Sequence, residues 1–419
     1  MADLSKLIAE KEKSAKFMVD GITHICKDMP KRDPGSEGEK MACEYMGQVL
    51  RDECGCETTF MEEFKENPGS FFGWIYFCVG LGLAACVLNF FMPVVSIVLA
   101  GLSIALMVAQ FGFYKKIVDK FFPEKTGHNM TAIKKCKGEV KARIFLNGHP
   151  DACWLWPVNE KYGGVVHCSQ YAFGAVGLLY VFAVSIINTI ITKAHPVIVN
   201  PTDFPVAFWL GIAQIFFVPW FIALCFMWNE KIIVDGANDN LTGCYMGIAL
   251  LKAMKENGIE LEHTEVGVIL SGSEEAGLRG AMAWAEAHKN DYNDVPTWII
   301  SYDTIHEARF LAANYRDLNA TVALDKEVGD AFFDAAKELD IYCEKGIIPP
   351  FGGATDAAAF AKAGFKAISI GAMNYKLEKY YHTRFDSWDN LDEGCLADCY
   401  AVSVKTVENF DKKYGEGQD

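Results

Sequence analysis

A long stretch without charged side chains limits what this chain can fold into more than any other feature of the sequence. From Asn67 to Tyr114 there is no Asp, Glu, Lys or Arg. A helix that crosses a membrane needs about 20 apolar residues, so the stretch has room for two, predicted at 71–91 and 94–113. Core helices of soluble proteins rarely run so long without a charged face. The stretch is therefore predicted to be a transmembrane hairpin.

A second apolar pair is predicted at 170–192 and 204–228. The segment after the first pair, "YKKIVDKFFPEKTGHNMTAIKKCKGEVKAR", is rich in lysine, whereas the loops inside each pair hold almost none. Because Lys and Arg concentrate on the cytoplasmic side, both loops are predicted to face outward and both termini to be cytoplasmic. The chain is thus expected to be a multi-pass protein of the cell membrane. Its expected partners are the bilayer and, through these helices, a second copy forming a homodimer.

Charge and cysteine usage exclude other classes. The net charge of −15 argues against a nucleic-acid partner, since phosphate binding needs clustered Lys and Arg. The 14 cysteines are scattered, and several, such as Cys78, Cys86 and Cys225, lie inside apolar runs. The chain opens with the polar segment "MADLSKLIAEKEKSAKF", which does not resemble a signal peptide. The cysteines are therefore expected to be reduced thiols in a reducing compartment.

Outside the hairpins, short apolar strands alternate with amphipathic helices. The predicted strands are 142–148, 265–271, 297–302 and 366–371. The predicted helices are 5–27, 37–52, 240–256, 278–289, 327–340, 356–363 and 391–412. This alternation predicts an α/β sandwich with a largely parallel, buried sheet, in which ligands bind beyond the carboxyl ends of the strands.

Five motifs place histidine or carboxylates at those strand ends or at the helix starts after them. They are "GHPD" (148–151), "GANDNLTG" (236–243), "SGSEEAGLRGA" (271–281), "SYDT" (301–304) and "YYHTRFDSWDN" (380–390). Each has an ordinary explanation by itself: His149 as a hydrogen-bonded core histidine, for example, or Asp239 as a helix cap. Together they are not explained in this way, because a core does not gather so many acids without a cation.

The residue types indicate which cation. Two histidines with several carboxylates suit zinc, and with no cysteine in the motifs an open catalytic site is expected rather than a closed structural one. The adjacent Glu274 and Glu275 point in different directions, so one can bind metal while the other reaches a metal-bound water. A two-metal hydrolase needs this division between ligand and proton carrier.

The same motifs resemble the dinuclear zinc aminopeptidase and glutamate carboxypeptidase family, the co-catalytic zinc exopeptidases. The resemblance begins at "KRDPGSEGEKMACEYMGQVL" and continues through "NMTAIKKCKGEVKARIFLNGHPDA", "GANDNLTG", "SGSEEAGLRGA", "PFGGATDAAAFAKAGFKAISIG" and "YHTRFDSWDNLD". The order and spacing match except where the hairpins are inserted. The resemblance implies a three-layer sandwich with a mixed, mostly parallel central sheet, to which the two hairpins add four transmembrane helices.

The resemblance also implies a ligand set for two zinc ions. Asp239 would bridge them, His149 and Asp303 would complete the first ion's shell, and Glu275 and His382 the second's.

Further roles follow from the same resemblance. Glu274 would be the general base and proton donor, and Asp151 would orient His149 by accepting its other N–H. Tyr381 would stabilise the oxyanion, although a core aromatic remains the alternative. The peptide bond between Asp239 and Asn240 would be cis.

The predicted organisation is a peptidase domain interrupted twice. Its parts are an N-terminal peptidase part (1–66), hairpin 1 (67–114), the first metal motif (115–169), hairpin 2 (170–228) and the remaining ligands (229–419). The expected activity is that of a membrane-embedded dizinc aminopeptidase. In the sequence, the second hairpin lies between the ligands His149 and Asp239, and short connections join it to both. The active site is therefore expected to face the membrane and to take apolar peptides or lipid-linked amides. The alternative is that the hairpins merely tether an ordinary peptidase.

Two other functions stay open, and two more are disfavoured. A deacylase of N-acyl amino acids or amino-acid lipids would use the same chemistry. A carboxypeptidase would need a cation for the terminal carboxylate, for which Arg309, Arg316 and Arg384 are candidates. A catalytically inactive receptor or scaffold is disfavoured because no ligand is missing, and a transporter because the spans carry no charged residue.

Overall fold

The computed structural model describes residues 3–198 and 202–415, and the chain divides into two compact units. Unit 1 consists of the three stretches Met1–Pro68, Glu124–Trp154 and Lys231–Asp419. Unit 2 consists of Gly69–Pro123 and Leu155–Glu230. All five motifs lie in unit 1, and the four predicted membrane segments lie in unit 2.

Among the described residues, an eight-stranded sheet forms the centre of unit 1. Its strands are β1 Thr58–Glu66, β2 Lys125–Lys134, β3 Ala142–Gly148, β4 Thr264–Ser271, β5 Thr297–Ile305, β6 Leu311–Asn314, β7 Glu344–Gly346 and β8 Lys366–Ala372. They stand side by side in the order β1-β2-β4-β3-β5-β8-β6-β7. The central β4, β3, β5 and β8 are parallel, whereas β2 against β4 and β6 against β8 are antiparallel. The predicted mixed, mostly parallel sheet is confirmed.

The four predicted strands are the four parallel ones. All seven residues of β3 are buried, which explains its unbroken apolar pattern, since a parallel strand is covered on both faces. The strands outside this centre, β1, β2, β6 and β7, were not predicted. β1 carries a mixed polar pattern, "TTFMEEFKE", and is only partly buried at the edge of the sheet.

The helices of unit 1 lie close to their predicted positions. They are Ser5–Ala9, Lys11–Asp28, Glu37–Asp52, Thr242–Glu256, Arg279–His288, Lys326–Glu338, Asp356–Lys362 and Glu393–Phe410. Three of them begin at a residue whose side chain accepts a backbone N–H of the first turn: Ser36, Asp325 and Asp392. Such caps satisfy amide groups that have no partner inside the helix. The predicted helix 5–27 is interrupted at Glu10.

The parallel centre determines where the motifs meet. The carboxyl ends of β3, β4, β5 and β8 lie at one edge of the sheet, because these strands run in the same direction. His149 follows the last residue of β3, and Glu274 and Glu275 follow β4 after a two-residue turn. Asp303 lies near the carboxyl end of β5, two residues before its last residue. This edge is where open α/β sheets bind their ligands.

Within its described residues, unit 2 contains four helices that are long and apolar enough to cross a membrane, here called the span helices. They are Ser70–Leu88, Pro93–Gly112, Gly164–Thr192 and Pro205–Leu224. The third begins six residues before its predicted start at 170. The fourth is not one regular α-helix: Gln214–Phe217 forms a 3-10 turn, and the helix restarts at Val218 just before Pro219, which has no N–H to donate.

Polar side chains inside the span helices contact one another or backbone carbonyls. The hydroxyls of Ser96 and Ser185 are 2.6 Å apart, and Gln214 Nε2 donates to the carbonyl of Cys86 at 2.6 Å. By contrast, large apolar side chains such as Trp209 are exposed at 66%. Buried polar contacts with an apolar exterior are typical of helices packed in a bilayer.

Candidate metal centre

His149, Asp239 and Asp303 form the first metal group, which lies at the carboxyl edge of the sheet. One potential ligand atom from each lies within 4.8 Å of the others. His149 Nε2 is 3.3 Å from Asp239 Oδ1. His149 and Asp239 are buried, with exposures of 1% and 3%, while Asp303 is partly exposed. The group therefore has one side toward solvent, as a reacting site requires.

The second metal group contains Cys153, Glu275 and His382, again within 4.8 Å of one another and all buried. His382 Nε2 is 3.0 Å from Glu275 Oε1 and 3.0 Å from Asp239 Oδ2. Cys153 lies outside the five motifs and was not among the predicted ligands. Cys153 directly follows "GHPDA", and the turn of the chain after β3 brings its thiol back to the ligands. In the sequence, the only indication of a role for Cys153 was its position four residues after His149.

Asp239 joins the two groups. Its Oδ1 faces His149 and its Oδ2 faces His382, so each oxygen belongs to a different group. Its position before the helix Thr242–Glu256 is held by Asp386, which accepts the backbone N–H of Asn238 at 2.7 Å and that of Asp239 at 3.2 Å. The peptide bond between Asp239 and Asn240 is cis, as the resemblance implied.

Sequence reasoning missed two residues that hold these loops. Asp386, four positions after His382, is one. Arg32 is the other: it is 1% exposed and its guanidinium donates to the carbonyls of Pro150 at 2.6 Å and Asp235 at 2.6 Å. It thus connects the loop of His149 to the loop of Asp239. Its place in the early "KRDPGSEGEK" segment was the only signal.

Asp151 lies where its predicted role requires. It is fully buried, and its Oδ1 accepts the N–H of Glu274 at 3.1 Å while its Oδ2 accepts the N–H of Glu275 at 3.0 Å. His149 Nδ1 is 3.3 Å from Asp151 Oδ1. His149 Nδ1 is also 3.3 Å from the backbone carbonyl oxygen of Asp151. Asp151 therefore contacts the imidazole through its carboxylate and its carbonyl, and its carboxylate accepts two consecutive backbone amides.

Glu274 lies beside the first metal group. Its Oε2 is 3.9 Å from His149 Nε2, and the residue is 9% exposed. Burial raises the pKa of the Glu274 carboxyl well above its usual range, and the carboxylate of Asp303 adds to the rise although His149 opposes it. A carboxyl with a raised pKa can take up a proton and release it again near neutral pH.

Tyr381 and the arginine candidates differ in position. The Tyr381 ring stacks on His382 with centroids 3.9 Å apart, and burial and the carboxylates around it, first that of Asp239, raise the pKa of its hydroxyl well above the usual range. Arg309 is exposed and pairs with Glu307 at 2.8 Å, and Arg316 donates to the carbonyl of Ala320. Arg384 is exposed.

The electrostatics of the cluster fit a cation. Burial opposes the ionisation of Asp239, yet the two imidazoles hold its pKa below the usual range, and the carboxylates of Glu275 and Asp239 outweigh burial and raise the pKa of His382 to about 10. Within the described part of the chain, the buried atoms His149 Nε2 and Glu275 Oε1 have no hydrogen-bond partner. Buried polar atoms are normally satisfied, and the nitrogen, oxygen and sulfur donors here are those that zinc prefers.

Comparison with known proteins agrees with this geometry. Residues 226–407 match the sequence profile of "Peptidase family M28". No curated protein sequence matches the chain significantly. The fold is similar to a zinc aminopeptidase from Bacillus subtilis, BSAP, at 12% identity and TM-score 0.56, covering 97% of this chain and 96% of that one.

Two further solved structures show the same fold. An aminopeptidase from Aneurinibacillus sp. strain AM-1 has 13% identity and TM-score 0.54, covering 96% of this chain and 95% of that one. A glutaminyl cyclase from an Acidobacteriales bacterium has 12% identity and TM-score 0.53, with the same two coverages, 96% and 95%. At these identities the likeness concerns the fold.

The fold and the profile match together define a zinc-dependent metallopeptidase. The resemblance to the co-catalytic zinc exopeptidases is confirmed, and the similarity to the profile of peptidase family M28 extends over residues 226–407.

Proposed function

We propose that the protein is a membrane-embedded dizinc aminopeptidase that hydrolyses apolar or membrane-associated peptides. The observation that carries the two-ion proposal is the division of Asp239, whose two carboxylate oxygens face His149 and His382 separately. A carboxylate shared in this way is suited to bridging two metals, with His149 and Asp303 on one side and Glu275 and His382 on the other.

Bound zinc would acidify a water molecule and polarise the amide carbonyl. The protein's own groups would do the rest. Glu274, with its raised pKa, would take the proton from the water and deliver it to the leaving nitrogen. Asp151 keeps His149 in one orientation and fixes the backbone of Glu274. Tyr381, partly exposed beside His382, would donate its hydroxyl proton in a hydrogen bond to the oxygen that becomes negative.

The acidic character of the site favours an aminopeptidase. A free α-amine is a cation and pairs with carboxylates, whereas a carboxypeptidase needs a cation for the substrate's terminal carboxylate. Of the three arginine candidates, Arg309 and Arg316 have partners elsewhere. Since all five predicted ligands and Glu274 are present, an inactive receptor is the weaker proposal. A deacylase remains the alternative that the same cluster supports.

Chain connectivity supports a substrate from the membrane. Fourteen residues (150–163) join His149 to the third span helix, and fourteen (225–238) join the fourth to Asp239. A connection of this length reaches at most about 50 Å when fully extended. The lysine-rich segment after the first hairpin supports a cytoplasmic catalytic domain, and the exposed apolar helix faces support contact with lipid and with a second copy.

The test uses the full-length protein in lipid nanodiscs, loaded with zinc. Elemental analysis should find two zinc ions per chain. Peptides with a free amino terminus and an apolar first residue should be cleaved, and more rapidly when a lipid chain anchors them to the nanodisc. The matched controls are the same peptides with an acetylated amino terminus.

Other outcomes identify the alternatives. Cleavage of N-acyl amino acids but not of peptides with a free amino terminus would replace the aminopeptidase proposal by the deacylase. Full activity with a single zinc ion per chain would overturn the two-ion mechanism. Equal rates for anchored and soluble peptides would leave the hairpins as a tether.

A further inference from the structure

Cys153 differs from the other buried cysteines in what its thiol faces. The side chain is fully buried, and its sulfur lies within 4.8 Å of ligand atoms of Glu275 and His382. The thiols of Cys43 and Cys54, equally buried, instead point to backbone carbonyls, those of His128 at 3.7 Å and Ile248 at 3.4 Å. A core thiol ordinarily behaves as a small apolar group, whereas Cys153 stands among a carboxylate and an imidazole.

The backbone around Cys153 holds the thiol in this place. The carbonyl of Cys153 accepts the N–H of Val234 at 3.1 Å, and the N–H of Ala152 donates to the carbonyl of Arg32 at 2.9 Å. Arg32 in turn donates to the carbonyl of Pro150, on the other side of Asp151. Hydrogen bonds to its backbone thus fix the segment 150–153 at several points. The Cys153 sulfur is therefore held beside the second metal group by an ordered backbone.

A second observation points to a ligand at this place. Glu275 Oε1 is buried without a hydrogen-bond partner among the described residues, although it lies 3.0 Å from His382 Nε2. One cation between the sulfur, this oxygen and the imidazole would satisfy all of them. Zinc binds cysteine sulfur at about 2.3 Å and histidine nitrogen at about 2.0–2.1 Å, and ligand atoms at such distances lie within about 4.4 Å of each other.

We propose that Cys153 is a zinc ligand of the second metal group, together with Glu275, His382 and the shared Asp239. This assignment rests on the proposed function insofar as that function requires a metal in the second group. The thiol would bind as a thiolate, with its proton released to solvent.

The assignment makes the two metal groups unequal. The second group offers four protein ligands, which is the closed coordination of a structural zinc site. The first group, His149, Asp303 and the shared Asp239, offers three and keeps a position open for water or substrate. A thiolate also selects for zinc or other soft metals over magnesium and manganese. Substrate is therefore expected to meet metal first at the His149 side.

The experiment replaces zinc by Co²⁺ in the full-length protein and records the near-ultraviolet spectrum. A cobalt–thiolate bond gives an intense charge-transfer band that oxygen and nitrogen ligands do not give. We expect the band in the wild type, its loss in Cys153→Ala and Cys153→Ser, and its retention in Cys244→Ala. Cys244 is the matched control, since it is equally buried and lies outside both metal groups.

Zinc content and X-ray absorption give independent readouts. The wild type should show a zinc–sulfur distance of about 2.3 Å, and Cys153→Ala should bind its second zinc at least about tenfold more weakly. Circular dichroism of the cobalt-free variants checks that each is folded. A wild-type protein with two bound metals and no sulfur signal overturns the assignment, as does a signal that survives in Cys153→Ala.

Failure of the proposed function would look different. A protein that shows the sulfur signal but cleaves no peptide retains the Cys153 ligand and refutes only the aminopeptidase. A protein that cleaves peptides without the sulfur signal retains the function and refutes only the ligand.

Discussion

Replacement of Asp151 by Asn tests how the first metal group is held in place. The Asp151 carboxylate accepts the N–H groups of Glu274 and Glu275, one at each oxygen, and faces His149 Nδ1. Asparagine has the same shape but only one acceptor oxygen. Whichever way its amide is turned, its NH₂ group meets a backbone N–H at about 3 Å, donor against donor.

The expected cost follows from these contacts. A hydrogen bond to a charged group contributes about 1.5–3 kcal/mol, and a buried donor left without an acceptor costs about 1–3 kcal/mol. The two effects together lower the free energy of unfolding of the metal-free protein by about 2.5–6 kcal/mol. The loss of the partner that orients a ligating histidine also weakens metal binding, by about 10–100-fold.

Two assays separate these effects. Thermal unfolding of metal-free protein in detergent, followed by near-ultraviolet circular dichroism, reports stability, and a zinc titration against a competing chelator reports affinity. Asp317→Asn is a control for a change of charge at a buried aspartate: Asp317 is also fully buried, its Oδ1 accepts the backbone N–H groups of Leu318 and Thr355, and its Oδ2 accepts the Thr355 hydroxyl. It lies outside both metal groups.

Asp151→Asn should lose stability and zinc affinity, whereas Asp317→Asn should keep its zinc affinity. Unchanged zinc affinity in Asp151→Asn would refute the argument that the carboxylate orients His149. An equal loss of affinity in both variants would show that the effect comes from general destabilisation.

Two further predictions concern the carboxyls near the site. Glu274→Gln should keep its zinc but lose turnover by about 10²–10⁴-fold because the proton carrier is gone, whereas Glu275→Gln should lose zinc as well. Elemental analysis and kcat measurements check both variants. Near-normal turnover in Glu274→Gln would contradict the assignment of Glu274 as the proton carrier. The Ser273 hydroxyl, with one proton, lies 2.7 Å from Glu39 Oε1 and 2.6 Å from Glu66 Oε1, so one carboxyl must be protonated, and burial raises the pKa of Glu66 to about 7. Because this pKa is raised in the folded state, the stabilisation present below the ordinary value of 4.5 is lost as the pH rises through about 7. Glu66→Gln should therefore flatten the dependence of the unfolding temperature on pH in this range, and a slope equal to that of the wild type would count against it.

The parallel strands and their helices could be predicted because their apolar patterns are continuous and their boundaries are marked. β3 was predicted with its observed bounds, 142–148, since every residue in it is buried. The edge strand β1 could not, because its sequence "TTFMEEFKE" is stabilised by pairing with β2, a contact with residues more than fifty positions later that leaves no local pattern.

The metal motifs could be recognised because each carries its own spacing of acids and histidines. Cys153 and Arg32 could not be assigned in this way. Cys153 acts with Glu275 and His382, more than a hundred residues away, and Arg32 acts on backbone carbonyls, which any sequence provides. Both contacts exist only after the sheet has brought the loops together.

The order of the chain also determines when the metal centre can be assembled during synthesis. β3 leaves the ribosome with Gly148, but its two neighbours in the sheet, β4 and β5, begin only at Thr264 and Thr297. At about 5–20 residues per second, at least about 6 s pass before the first neighbour is made. Hairpin 2 (170–228) is translated during this interval, whereas hairpin 1 (67–114) is made before β3. The strand that ends beside His149 must therefore wait with both edges unpaired while the third and fourth span helices are made. A nascent chain held at this stage has the membrane segments of the finished enzyme, but neither its sheet nor a site that can retain zinc.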